Sequence, residues 1–245
     1  MGTTMDRWYS ACSKRCSVRE YNNAAFSLQQ LADIKELISE LSCDEARLVL
    51  LKDGEALKAP FFSPQLVEAR YSVAVVASQN YEYVAGSIGE AFVLECASMD
   101  IGTCWLAKFN KRYVSSHVSL KGSERVLCLI AFGYTDIPLK CKKKGKRSPI
   151  EITGLSDVDY AGLRLWQQKA AECAAIAPTA RNKQEFELEF SENSVSVYLT
   201  SSNGGFSGID CGIIMLHVEL GAYQIGKCGE WEIVDGSPTF TIIYK

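Results

Sequence analysis

Residues 86–107 read GSIGEAFVLECASMDIGTCWLA, and residues 207–226 read SGIDCGIIMLHVELGAYQIG. Both are apolar on nearly every face of a 3.6-residue repeat, the pattern of a helix buried inside a protein rather than laid on its surface. The first predicts a buried helix ending near Gly102, and the second predicts another across the whole stretch. Neither contains about 18 consecutive apolar residues, so no membrane span is expected. Setting Asp100-Ile101-Gly102 on Glu219-Leu220-Gly221, a shift of 119 residues, also sets Gly89 on Gly208.

Working outward, the same order of elements recurs around both helices. SLQQLADIKELISELS (27–42) has apolar residues at Leu28, Leu31, Ile34, Leu37, Ile38 and Leu41, a helical stripe with Ser27 as its N-cap. A helix-like start lies within 5–19. ARLVLLKDG (46–54), YSVAVVAS (71–78) and VLCLIAFGY (126–134) predict strands. In the second half, DYAGLRLWQQKAAECAAI (159–176) predicts a helix, EFELEF (185–190) and SVSVYLTS (194–201) predict strands, and TFTIIYK (239–245) predicts a closing strand. The recurrence points to tandem duplication. The expected fold class is α+β, with two similar α/β halves, residues 1–150 and 151–245, forming an intramolecular pseudo-dimer.

Composition limits the function classes. The 245 residues are 47% apolar and 22% charged with a net charge of −3, which excludes a disordered or collagen-like chain and gives no global attraction to nucleic acid or membrane. Ten cysteines, several inside apolar runs, together with a start lacking a basic-then-apolar leader, lead us to expect reduced core thiols in a cytoplasmic protein. No C-x-x-C pair occurs and His117 and His217 are far apart in sequence, so no metal site is expected. G-x-S-x-G and H-E-x-x-H are absent.

Two clusters remain. Arg15, Ser17 and Arg19 fall within five residues, and two guanidinium forks with a hydroxyl can surround a phosphate dianion. A solvated basic face is the simpler reading of that cluster, and of the run from Lys140 to Arg147. APTARNKQ (177–184) follows a helix and offers Thr179 and Asn182, whose groups donate and accept and can read the edge of a planar heterocycle. A helix-ending turn is the simpler reading there. The first cluster occurs only in the first half and the second only in the second half, which suits one composite site.

Together these motifs resemble the nitroreductase family of flavin enzymes. Where the family has R-R-S-x-R-x-F or Y, this chain has Arg15-Cys16-Ser17-Val18-Arg19-Glu20-Tyr21. For A-P-S-A-x-N-x-Q-P-W it has Ala177-Pro178-Thr179-Ala180-Arg181-Asn182-Lys183-Gln184-Glu185-Phe186. For G-L-G-S-C-W-I it has Ile101-Gly102-Thr103-Cys104-Trp105-Leu106, and Phe132-Gly133-Tyr134 precedes Lys146-Arg147-Ser148-Pro149 as i-G-Y-P precedes K-x-R-x-P. The departures are Cys16 for the second arginine, Thr179 for serine, Glu185-Phe186 for Pro-Trp, and a missing glycine near Ala107.

The resemblance implies a nitroreductase-like fold that binds FMN, in a single-chain form of a dimer with one flavin per chain. It places Arg15, Cys16, Ser17 and Arg19 at the phosphate, joined by Arg147 with Lys144 or Lys146. It places Pro178, Thr179, Ala180 and Asn182 along the isoalloxazine ring, and a backbone N–H of Ala107 or Lys108 near flavin N5. No catalytic side chain is required, because the flavin carries the hydride. The implied activity is oxidoreduction from NAD(P)H through FMN to a nitro-aromatic, quinone or similar small acceptor, with acceptor choice set by loops 55–68 and 108–120. Fused halves allow the chain to act as a monomer. The alternatives are an FMN-binding protein without NAD(P)H turnover, a family variant with dehalogenase or flavin-degrading activity, and a non-flavin α+β binding protein.

Overall fold

The computed structural model describes residues 3–22, 24–58, 69–140, 145–201 and 207–243. These residues form helices α1 (Thr4–Cys12), α2 (Leu28–Leu41), α3 (Glu82–Ser98), α4 (Lys111–His117), α5 (Pro149–Thr153), α6 (Asp157–Gly162), α7 (Leu165–Ala175) and α8 (Ser207–Tyr223). The strands are β1 (Ala46–Leu51), β2 (Tyr71–Ala77), β3 (Gly102–Leu106), β4 (Arg125–Gly133), β5 (Phe186–Phe190), β6 (Ser194–Leu199), β7 (Gly229–Val234) and β8 (Ser237–Ile242). The chain divides into two compact units, residues 14–141 and residues 1–13 with 142–245. Among the described residues, no helix is long and apolar enough to cross a membrane.

In the 14–141 unit, the Ser27 side chain accepts from the Gln30 N–H while the Gln30 side chain accepts from the Ser27 N–H, so α2 starts where its N-cap was expected. The antiparallel sheet has the order β1-β2-β4-β3. β2 is buried at every position, which explains why its sequence is continuously apolar rather than alternating. The connection from β2 to β3 is α3, whose Phe92, Val93 and Leu94 are fully buried.

The other unit repeats this plan with α7 before β5 and α8 between β6 and β7, and its antiparallel sheet has the order β5-β6-β8-β7. The fold is therefore α+β with one topology used twice. β7 and β8 form a hairpin around Asp235 and Gly236, both at positive φ as a two-residue primed turn requires.

Four expectations are corrected. The helix read in 86–107 ends at Ser98 rather than near Gly102, and a strand follows it. α3 stops at Ser98, Asp100 takes the left-handed conformation at φ 57, and the Ile101 N–H reaches back to the Cys96 carbonyl at 2.8 Å. That is a Schellman ending with Asp in the place usually held by Gly, after which β3 begins. α8 ends in the same way, with Gly226 at φ 70 and the Lys227 N–H on the Ala222 carbonyl at 3.1 Å. Asp100 thus corresponds to Gly226, a shift of 126 residues, and the shift of 119 is wrong because it sets the first residue of β3 inside α8. Finally, 159–176 is divided at Leu163 and Arg164 into α6 and α7, and 108–120 contains α4.

Candidate functional site

The first cluster lies on the 14–141 unit. Residues 15–19 run beside β3, the edge strand of its sheet. Ser17 forms a parallel bridge with Thr103, and the Val18 N–H donates to the Thr103 carbonyl at 2.9 Å. This close approach needs Gly102, where an added Cβ would stand 2.9 Å from a Val18 methyl. The extended backbone sends neighbouring side chains to opposite faces. Arg15 and Val18 are buried, Cys16 is half-buried, and Ser17 and Arg19 are exposed.

Arg15 is only 6% exposed, and its Nε sits 4.0 Å from Oε1 of Glu90, a fully buried residue of α3. The other Glu90 oxygen accepts from Trp105 Nε1 at 3.0 Å. The Arg15 Nε is nevertheless buried without a hydrogen-bond partner among the described residues. Burial raises the Cys104 thiol, and the charges of Arg19 and then Arg15 oppose that rise. Both guanidinium charges therefore act at one place on β3, the Cys104 thiol, and such a pair of cations suits an anion. Ala107 and Lys108 follow the end of β3 and are exposed.

The second cluster lies on the other unit and is built around a strained turn. Arg181, Asn182 and Gln184 all have positive φ, at 56, 56 and 52°, a conformation that costs non-glycine residues free energy unless the surroundings hold it. Buried Gln184 does so. Its Oε1 accepts from the Arg147 N–H at 2.6 Å, its Nε2 donates to the Gly145 carbonyl at 2.9 Å and the Asn182 carbonyl at 3.1 Å, and its own N–H donates to Thr179 Oγ1 at 3.0 Å. Asn182 Nδ2 donates to the Gly145 carbonyl at 2.8 Å. Asp210 of α8 accepts from the Ala180 N–H at 2.9 and 3.0 Å. Its carboxyl is pushed up to about 6, chiefly by burial and further by the Glu185 charge, against the pull of the Ala180 N–H and Lys146. Asp210, Thr179, Glu185, Phe186 and Ser207 line a small cleft, and Glu185 Oε2 is buried there without a hydrogen-bond partner among the described residues.

The residues expected at a phosphate thus divide. Arg15, Cys16, Ser17 and Arg19 come together. Lys146 and Arg147 lie on the other unit, where they bond to the turn. Lys146 Nζ donates to the Ala177 carbonyl at 2.6 Å, and the Arg147 guanidinium donates to the carbonyls of Gln184, Phe186 and Glu151. Lys144 and loop residues 59–68 lie outside the described residues. Pro178, Thr179 and Ala180 are half-buried and Asn182 is exposed, all on the one turn. Glu90, Gln184 and Asp210 were not anticipated. For Glu90 and Asp210 the signal was present, since each is an acid inside an otherwise apolar helix, and such a residue needs a partner.

The chain matches the family model described as "Putative TM nitroreductase" over residues 7–222. Among solved structures it is similar to one from Thermotoga maritima described as a "putative nitroreductase", at 20% identity, covering 96% of this chain and 93% of that one with a TM-score of 0.66. At 19% identity and a TM-score of 0.43 it is similar to a "Putative NADH Oxidase" from Clostridium acetobutylicum, covering 53% of this chain and 90% of that one. At 17% identity and a TM-score of 0.43 it is similar to an "FMN-dependent Nitroreductase" from Clostridium difficile, covering 63% and 97%. A search of curated proteins returned no match.

Proposed function

Since the chain belongs to the nitroreductase family described as "Putative TM nitroreductase", we propose that it is an FMN-dependent oxidoreductase that moves electrons from NAD(P)H to a nitro-aromatic, quinone or similar small acceptor. The observation that carries the cofactor reading is the Arg15 guanidinium, buried with an Nε that has no hydrogen-bond partner among the described residues and acting with Arg19 on the same thiol. A phosphate dianion supplies an acceptor for that N–H and a negative charge opposite the two cations.

FMN, when bound, supplies the two-electron hydride chemistry that no protein side chain provides. Arg15 and Arg19 hold its phosphate, with the exposed Ser17 hydroxyl as a further donor. Glu90 orients Arg15 and keeps its charge compatible with burial. Ala107 and Lys108 offer exposed backbone N–H groups at the end of β3 to the ring. On the other unit, Gln184, Lys146, Arg147 and Asp210 hold the turn of Pro178, Thr179, Ala180 and Asn182 in shape, and that turn offers a hydroxyl and a carboxamide that suit the edge of a planar heterocycle.

The test is the flavin content of the purified protein. Arg15→Ala with Arg19→Ala should abolish flavin retention. Arg15→Lys keeps a cation beside Glu90 while removing the planar fork, so this variant should fold and still lose most of its flavin. Unchanged flavin in both variants overturns the phosphate assignment. NAD(P)H bleaching of the flavin colour without air supports turnover, and failure to bleach leaves an FMN-binding protein without it.

A further inference from the structure

The last residue of α1 is Cys12, and it meets Cys173 of α7 and His217 of α8, residues 161 and 44 positions from one another's partner in the chain. Their approach follows from the helix packing. A Cβ added at Gly221 would stand 2.3 Å from the Lys169 carbonyl oxygen and 2.7 Å from the Ala170 Cα, so α7 and α8 touch backbone to backbone there. Cys173 is one turn after Lys169 and His217 one turn before Gly221. In an antiparallel crossing that sets the thiol against the imidazole.

All three residues are buried, at 1, 3 and 0% exposure for Cys12, Cys173 and His217. The two sulfurs are 3.8 Å apart, His217 Nδ1 is 3.6 Å from the Cys173 sulfur, and the three candidate ligand atoms lie within 4.8 Å of one another. Tetrahedral zinc with Zn–S bonds of about 2.3 Å separates two thiolates by about 3.8 Å. We propose that Cys12, Cys173 and His217 form a binding site for a divalent, thiolate-seeking ion of the zinc class, which clips α1 onto α7 and α8.

Charge selects the ion. Binding displaces one proton from each thiol to solvent, so two thiolates, a neutral imidazole and a divalent cation sum to zero, as a buried site requires. A monovalent ion would leave one negative charge buried. Without a cation, hydrogen bonding to Cys173 and burial hold the Cys12 thiol well above its ordinary range, so it stays protonated. In the metal-free protein His217 Nδ1 also lies 3.0 Å from the Cys173 carbonyl oxygen, and metal binding at Nδ1 exchanges that contact for the ion, with the imidazole proton carried on Nε2. The resulting role is structural and separate from the flavin reading.

The experiment uses the full chain, expressed with zinc and purified under reducing conditions. Elemental analysis should find about one zinc per chain, falling to background in Cys12→Ala and in Cys173→Ala. Cobalt(II) added to zinc-stripped protein should give a thiolate-to-cobalt charge-transfer band, read as the difference from Cys12→Ala treated identically so that flavin absorption cancels. Stripping the metal should speed proteolysis within α1. The proposal is overturned by wild-type protein that holds no zinc and gives no cobalt band. It is equally overturned by zinc retained in both variants, or by protein handled without reductant and with zinc present whose mass is lower by two hydrogens in a Cys12–Cys173 disulfide. Should the variants fail to fold, the wild-type zinc content decides, with the cobalt band read as the difference between wild-type protein before and after cobalt is added.

Discussion

Replacing Asp210 by Asn should change how stability depends on pH. In the folded chain, burial pushes this carboxyl from 3.8 to about 6. The folded state therefore binds the proton more tightly than the unfolded state does. The sign follows directly. The stabilisation from this proton is fully present below pH 3.8 and is lost as pH rises through about 6. A shift of roughly two pKa units corresponds to about 3 kcal/mol. Asp210→Asn keeps an oxygen that can accept from the Ala180 N–H, removes the buried charge, and does not titrate. Relative to wild type, the variant should gain about 3 kcal/mol between about pH 4 and about pH 7.5. Urea unfolding at a series of pH values, followed by tryptophan fluorescence, measures this, since Trp166 and Trp231 lie in the same unit as Asp210. Carboxylates away from Asp210 titrate alike in both proteins and cancel in the difference. A variant-to-wild-type offset that stays constant across this window refutes the reasoning.

Three further outcomes follow from the packing. Gly221→Ala drives a Cβ into the α7 backbone. It should cost at least about 1–3 kcal/mol, seen as a lower thermal midpoint. Arg15→Met leaves Glu90 fully buried without its cation. It should cost about 3 kcal/mol in denaturant unfolding, and Arg15→Met with Glu90→Gln should recover much of that loss. Gln184→Ala removes the acceptor of the Arg147 N–H and the donors to Gly145 and Asn182. It should cost about 1–3 kcal/mol, and hydrogen exchange in residues 177–184 should quicken while α8 stays protected.

The elements with a clear period and a clear cap were legible before the structure. α2 has its stripe and its Ser27 cap, and β2 and β4 are continuously apolar because they lie centrally in a sheet. What failed was punctuation. The end of α3 lies four residues before Gly102 and β3 has no boundary of its own in the sequence, because the chain reverses at Asp100 rather than at glycine and the apolar run continues across the turn. β7 was missed because it is largely exposed and reads EWEIV, yet Asp235-Gly236 was a strong hairpin signal beside it. The Arg15–Arg19 cluster was legible because its residues are adjacent in sequence. The turn of 177–184 was legible as a motif but not in its wiring. The bonds of Lys146 to the Ala177 carbonyl and of Arg147 to the Gln184 and Phe186 carbonyls join positions 31 to 39 residues apart, which no local pattern displays. The Cys12, Cys173 and His217 cluster could not be seen from spacing at all, because three helices distant in the chain assemble it.

On the proposed reading, this chain binds FMN through Arg15 and Arg19. The most direct measurement is the visible absorbance spectrum of the purified protein, with FMN added and excess removed if it is colourless, and the flavin counted per chain. The account predicts about one FMN per chain, and its loss in Arg15→Lys. A folded protein that retains no flavin after reconstitution contradicts it.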